Sequence, residues 1–175
     1  DHMVIDGNTL RCLEVHRTLR TNRRQGSLLA GIPRTCTGMG ARLLERWLSF
    51  PLTGYSAIVG RQDAVEELAL ARDRLETLRQ RLSDAANIDR IAANIALGRV
   101  RPRELLALGR TLSALPEIAA GISECESVLL SDLAPRLTGH EEAADLIARA
   151  IDPDCPNVLR DGGVIAAGFD AELDR

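Results

Sequence analysis

Ile88, Ile91, Ala92, Ile95 and Ala96 recur at the spacing of one helical face, with polar residues filling the other side. Gly98 follows them, and glycine most easily takes the left-handed conformation that closes a helix. Pro102 suits the first turn of a second helix, where its missing N–H would be unpaired anyway. Leu105, Leu106, Leu108, Leu112 and Leu115 then give that helix a broad apolar face as far as an interruption at Pro116. Residues 87–118 therefore read as a helical hairpin. Asp89 and Arg90 lie where a buried ion pair with Arg99, Arg101 or Glu104 would brace it, although a solvated charged face fits the same residues equally well.

The same periodicity extends over most of the chain. Thr37 is placed to cap a helix whose stripe is Leu43, Leu44, Trp47 and Leu48, ending at Phe50-Pro51, and Trp47 is expected to anchor that stripe in the core. Residues 27–32 predict a helical turn ending at Pro33, residues 55–82 one long helix or two stacked ones, and residues 122–133 and 140–151 two more. Two segments break the pattern. Residues 9–18 partly alternate and predict a short N-terminal strand. Past Ile151 two prolines and the Gly162-Gly163 pair predict a small β-hairpin, Val158-Leu159 against Val164-Ile165, with at least one of the glycines at positive φ. Asp170, with Glu172 in the first turn, offers an N-cap for a helix beginning there. The expected fold class is mainly α: a multi-helix core domain with a short N-terminal strand and a small β-hairpin near the C-terminus.

Composition narrows the functional classes. At 175 residues and 45% hydrophobic the chain supports one core. All 22 basic residues are arginine, so the phosphate-cradling G-x-x-x-x-G-K-[ST] loop, which needs its lysine, is absent. A net charge of −3 argues against a dedicated nucleic-acid module, and 2% aromatic residues are too few for base-stacking platforms. The densest basic stretch, Arg17, Arg20, Arg23 and Arg24, reads as a solvated surface ahead of a phosphate contact. Cysteines 12, 36, 125 and 155 form no C-x-x-C pair, and neither they nor the three histidines have a zinc-type spacing. Cys12 and His16, four apart on an expected strand, are too distant to act together. No uncharged run reaches the roughly 20 residues of a membrane span. With no convergent acid–base or nucleophile constellation, the chain itself is expected not to be an enzyme. Residues 1–3 read as a cloning remnant.

Four blocks carry a resemblance. GSLLAGIPRTCTGMGARLLERWLSFPL at 26–52, RQDAVEEL at 61–68, the hairpin segment itself and RDGGVIAAGFDAELDR at 160–175 are similar, in order and spacing, to the core domain of the MutS family of DNA mismatch-repair proteins. Phe169 stands where that family usually has Tyr, and Asn87 and Asp89 depart from its D-[IL]-E-R. The resemblance implies a division into a core domain at 4–169 and, at 170–175, the start of a truncated lever helix leading to a DNA clamp. It implies a domain that couples mismatched-DNA binding and the clamp to an ATPase, all three lying outside this chain. No F-x-E wedge for mismatch reading occurs here. Trp47, Asp89, Arg90, Gly98, Pro102, Gly162, Gly163 and Asp170 are the positions expected to matter structurally or for coupling. The chain should need no cofactor or metal, ATP and magnesium belonging to the full-length parent. The parent is expected to bind mismatched double-stranded DNA, to form a homodimer, to work with a MutL-type partner, and to reside in the cytoplasm on the nucleoid without membrane contact. The fragment alone is expected to be monomeric. A MutS-like paralogue outside mismatch repair, or a free-standing helical protein-interaction module, are the competing readings.

Overall fold

The computed structural model describes residues 2–32 and 34–174. Along them run α1 (Gly7–Cys12), α2 (Leu28–Gly31), α3 (Gly38–Ser49), α4 (Tyr55–Leu70), α5 (Arg72–Ser83), α6 (Ile88–Ala96), α7 (Pro102–Ser123), α8 (Val128–Leu133) and α9 (Glu141–Ala150). Two 3₁₀ turns, Ala134–Leu137 and Leu159–Asp161, complete the order, so the mainly helical expectation holds. The 55–82 stretch resolves into two helices at Ala71, whose ψ of 66° leaves the helical region. The expected end of the 27–32 turn, Pro33, lies outside the described residues.

The core forms where α4, α5, α7 and α8 meet. Ala64, Leu78, Ile118, Ile122, Cys125, Leu130 and Ala134 are buried together, with Leu68, Leu115 and Leu137 packed against them. The other side of α7 receives α9, and there Gly109 is a packing requirement: a Cβ at this position would lie 2.9 Å from Ile147 Cγ2. On length and composition α7 is apolar enough to cross a membrane, although charged residues interrupt it; its buried positions face α5, α8 and α9 within the domain.

Several expectations are overturned. The interruption at Pro116 does not occur, because α7 continues through it to Ser123. Proline inside a helix costs about 3 kcal/mol, whereas burying Ile118 and Ile122 on the following turn contributes roughly 1.5–3 kcal/mol each. The single helix expected over 122–133 is instead two elements. Glu67 on α4 accepts hydrogen bonds from the backbone N–H groups of Glu126 (2.8 Å) and Ser127 (2.9 Å), and this long-range cap starts α8 afresh.

The N-terminal strand is absent. Asp6 caps α1 by accepting from the N–H groups of Asn8 (2.9 Å) and Thr9 (3.0 Å), and four alternating residues fit a helical turn as well as a strand. The C-terminal β-hairpin is absent too. Residues 159–161 coil into a 3₁₀ turn, and Ile165 makes an isolated antiparallel bridge with Ile151. Asp152 N–H donates to the carbonyl of Val164 and Ala166 N–H to that of Ala150, both at 2.9 Å, so the segment expected to pair with Val158-Leu159 pairs with the end of α9 instead.

Trp47 is not a core residue. No side chain of α3 is buried; Leu43 and Trp47 lie exposed on it, Trp47 at 37%, and Phe50 lies exposed just past its end. The guanidinium of Arg61 covers one face of the ring, 3.8 Å from its centroid.

Two glycines give opposite expectations. Gly60→Ala, where an added Cβ meets nothing within 4 Å, should raise stability by about 0.5–1 kcal/mol through helix propensity. Gly109→Ala should lower it, because overpacking costs roughly 1–3 kcal/mol and outweighs the same gain. Urea midpoints of the two variants check both signs. For Trp47→Ala we expect a loss of roughly 1–2 kcal/mol, the sum of a surface cation–π contact and partial burial, well short of the 3–5 kcal/mol of a buried indole. A calorimetric melt distinguishes the two.

Candidate coupling site at the helical hairpin

The hairpin is assembled by local signals and then braced by charge. Asn87 caps α6 by accepting from Arg90 N–H (3.3 Å), and Ile91, 1% exposed, is its buried anchor. Gly98 closes the helix at φ +63°, its N–H donating to Ile95 O (3.0 Å), while Arg99 N–H donates to Asn94 O (2.8 Å). Pro102 is the buried first residue of α7. Three residues after Arg101 comes Glu104, whose Oε2 accepts from Arg101 N–H (3.1 Å) and Asn94 Nδ2 (3.3 Å) and whose Oε1 accepts from Arg90 Nη1. One half-buried carboxylate thus ties the end of α6 to the start of α7.

Two further bonds fix the hairpin in the fold. Arg42 Nη2 on α3 donates to both Asn87 Oδ1 and Asp89 Oδ2, each at 3.0 Å. Thr111 Oγ on α7 accepts from Ala86 N–H and donates to Ala107 O, both at 2.9 Å, which pins the α5–α6 connection. Of the partners open to Asp89 and Arg90, the structure selects Glu104 for Arg90, while Asp89 turns outward to Arg42 in a solvent-exposed pair.

The Arg101 N–H is the main cause that holds the Glu104 carboxyl below the ordinary glutamate range. Asn94 and Arg90 add to it, and burial opposes it. Glu67 is lowered in the same direction by Ser127 N–H first and Glu126 N–H second. Burial pushes the Cys125 thiol up, with Arg74 Nη1 donating to its sulfur at 3.2 Å.

The remaining expected positions lie elsewhere. Trp47 is on α3. Gly162 and Gly163 both take positive φ, +73° and +62°, beyond the 3₁₀ turn. Asp170 Oδ1 accepts from Glu172 N–H (2.9 Å) and its carbonyl accepts from Leu173 and Asp174 (3.1 Å each), one helical turn with Asp170 at its head. Asn94, Arg42 and Thr111 were not anticipated. Only Glu104 carried a signal, its place three residues into the helix.

No group of three metal-ligating side chains occurs among the described residues. His16 has the carboxylate partner that the sequence did not reveal: Nδ1 lies 3.4 Å from Glu45 Oε1 and Nε2 3.2 Å from Ser49 Oγ. This is a latch and not a nucleophile–base pair, because the Ser49 hydroxyl donates its proton to the Glu45 carbonyl (2.8 Å).

The polar groups described above join helix to helix, and the chain is a helical module braced by side-chain bridges. The sequence profile of MutS domain III matches residues 8–173, and the chain belongs to that family. It is 43% identical over 172 residues to the DNA mismatch repair protein MutS of Chlorobaculum parvum, covering 98% of this chain and 20% of that protein. The MutS of Myxococcus xanthus is 41% identical over 174 residues, and that of Methanothrix thermoacetophila 40% over 179. The chain spans about a fifth of the length of these curated relatives.

The lowered carboxyls set a pH dependence. Their contribution is fully present above the ordinary glutamate range and is lost as pH falls through their folded-state values. Glu104→Gln should therefore be less stable than wild type at neutral pH, and the gap should close on acidification below pH about 4, the unperturbed glutamate range. Urea titrations at the two pH values check this; a gap independent of pH would remove the carboxylate from the account.

Proposed function

We propose that this domain is the mechanical middle of a MutS-type mismatch-repair protein, transmitting between a mismatched-DNA and clamp end and an ATPase end that lie outside the chain. The observation that carries the reading is the α6–α7 hairpin, closed by Glu104 on Arg90, Asn94 and Arg101 and bolted to α3 through Arg42. Such a unit moves as one body, and coupling requires an element whose arrangement both distant sites bias. The absence of lysine puts any phosphate-loop nucleotide site elsewhere in the parent. Magnesium and ATP belong there, as do the mismatch contact, homodimerisation and a MutL-type partner, in the cytoplasm at the nucleoid. A paralogue that shares this domain without repairing mismatches is told apart by whether the parent carries an F-x-E wedge. A free-standing interaction module is the weaker reading, because the relatives carry this segment within a chain about five times as long.

Gly163 gives the test. At φ +62° a β-branched side chain is strained whatever the surrounding space, and the turn lies seven residues before Asp170, from which the lever is expected to run. In the full-length protein, Gly163→Val should retain ATP binding and mismatched-DNA binding, while nucleotide changes DNA dissociation less than in wild type. A wild-type nucleotide effect in a folded variant would make this turn a passive connector.

A further inference from the structure

Charge is unevenly placed along the chain. Residues 7–24 carry five arginines against one glutamate, a net +4 within a chain of net −3. Among the described residues, none of Arg11, Arg17, Arg20, Arg23 and Arg24 is within ion-pair distance of a carboxylate. The acids nearest to them are engaged otherwise. Asp6 caps α1, Glu14 accepts from Leu19 N–H, and Glu45 faces His16.

The segment is also ordered by its own bonds. Asn22 N–H donates to Thr18 O and Thr18 N–H to Arg23 O, both at 3.0 Å. The Thr18 and Thr21 hydroxyls lie 2.6 Å apart, and Asn22 takes φ +51° to close the loop. Arg17 Nη1 donates across the loop to Asn22 O (3.1 Å), which anchors the guanidinium and leaves its other N–H groups without a protein acceptor among the described residues. Beside it opens a cleft of about 460 Å³ lined by Arg11, His16, Arg17, Thr18 and Asn22. Two guanidinium groups and a carboxamide among the lining are a donor set that phosphate oxygens accept from.

We propose that this cleft and the adjoining loop bind the phosphates of duplex DNA as a contact independent of sequence. A single phosphate would use Arg11 and Arg17 alone. Arg20, Arg23 and Arg24 continue the positive surface beyond the cleft, all three exposed, and only a polyanion uses the whole run. No Phe, Tyr or Trp lines the cleft or belongs to the adjoining loop, so the contact is made to phosphates and carries no sequence information. The acidic total of the chain does not oppose this, because charges farther away than about 8–10 Å are screened at physiological salt. The choice of duplex DNA as the polyanion rests on the DNA-repair reading above; the cleft itself does not.

The test is fluorescence anisotropy of a labelled, fully matched duplex titrated with the chain from about 25 to 150 mM salt, over which phosphate contacts weaken steeply. Arg11→Ala/Arg17→Ala should weaken binding by about tenfold or more, the loss expected of removing a charge-assisted contact. It should also flatten the log K against log salt slope by about 0.9 per phosphate lost. The exposed-loop variant Arg20→Ala/Arg23→Ala/Arg24→Ala should do the same without touching the Arg17–Asn22 bond, so a folding defect in the first variant does not decide the matter. Arg72→Ala/Arg149→Ala, exposed arginines on α5 and α9, should leave slope and affinity near wild type. The proposal is overturned if both cleft and loop variants behave like this control. It is also overturned if inorganic phosphate shifts the arginine Nε–H resonances while the duplex does not bind, which would make this a site for a single free phosphate. Neither result depends on how nucleotide acts on the Gly163→Val protein, so the two readings fail separately.

Discussion

Helix-start N–H groups cannot be left unpaired inside a fold, and the way this chain pairs them organises everything else. Glu104 accepts the N–H of Arg101 at the head of α7, and by taking Asn94 and Arg90 with its other lone pairs it brings α6 to the same point. With its start held there, α7 runs 22 residues as the wall on which α5, α8 and α9 pack. At the far end Glu67 repeats the device across the core, accepting the N–H groups that begin α8. Both carboxylates are ionised for this task, and the donors that hold them lower their proton affinity. The two anionic caps therefore fix where α7 and α8 begin, and the apolar core assembles around those helices.

Those apolar contacts cover only part of the molecule. The accessible surface is 12,423 Å², whereas a closed monomer of this 19.0 kDa mass exposes about 8,400 Å². α3 illustrates the excess. It is amphipathic and properly capped by Thr37 Oγ on Gly40 N–H (2.9 Å), yet no residue on it is buried. It is held by polar ties instead, Arg42 to Asp89 and Asn87 on one side and Glu45 and Ser49 to His16 on the other. α3 is thus joined to its neighbours by side-chain bridges and not by a buried face.

Much of this was legible before any coordinates. The face of α6, the span of α9, the Thr37 cap, the left-handed Gly98, the Pro102 start and the turn headed by Asp170 all follow from residues within four positions of one another, the reach of a helical turn. The hairpin and its family resemblance lie in that local grammar. Where two local patterns fitted the same residues, periodicity could not separate them. Residues 9–12 alternate as a strand would, and only the hydrogen bonds of Asp6 to Asn8 and Thr9 make them helix. Likewise Asp89 had Arg99 and Arg101 as neighbouring partners along the chain, and the placement of α3 beside α6 gave it Arg42 instead.

The sequence by itself determined that the chain is mainly helical, where α3, α6 and α7 start, that no lysine-dependent phosphate loop is present, and that residues 87–118 hold a helical hairpin. Tertiary structure decided the rest, for a common reason: each outcome turns on a partner far along the chain. Glu67 reaches 59 and 60 residues to begin α8. Pro116 is carried through α7 because Ile118 and Ile122 find the α4–α5–α8 core. Val164 and Ile165 pair with Asp152 and Ile151, and so the C-terminal hairpin does not form. Trp47 stays at the surface because Arg61, one helix further on, covers its ring and no core face is offered to α3. Local pattern states what a segment can be; which of its groups must pair, and with what, is a property of the packed chain.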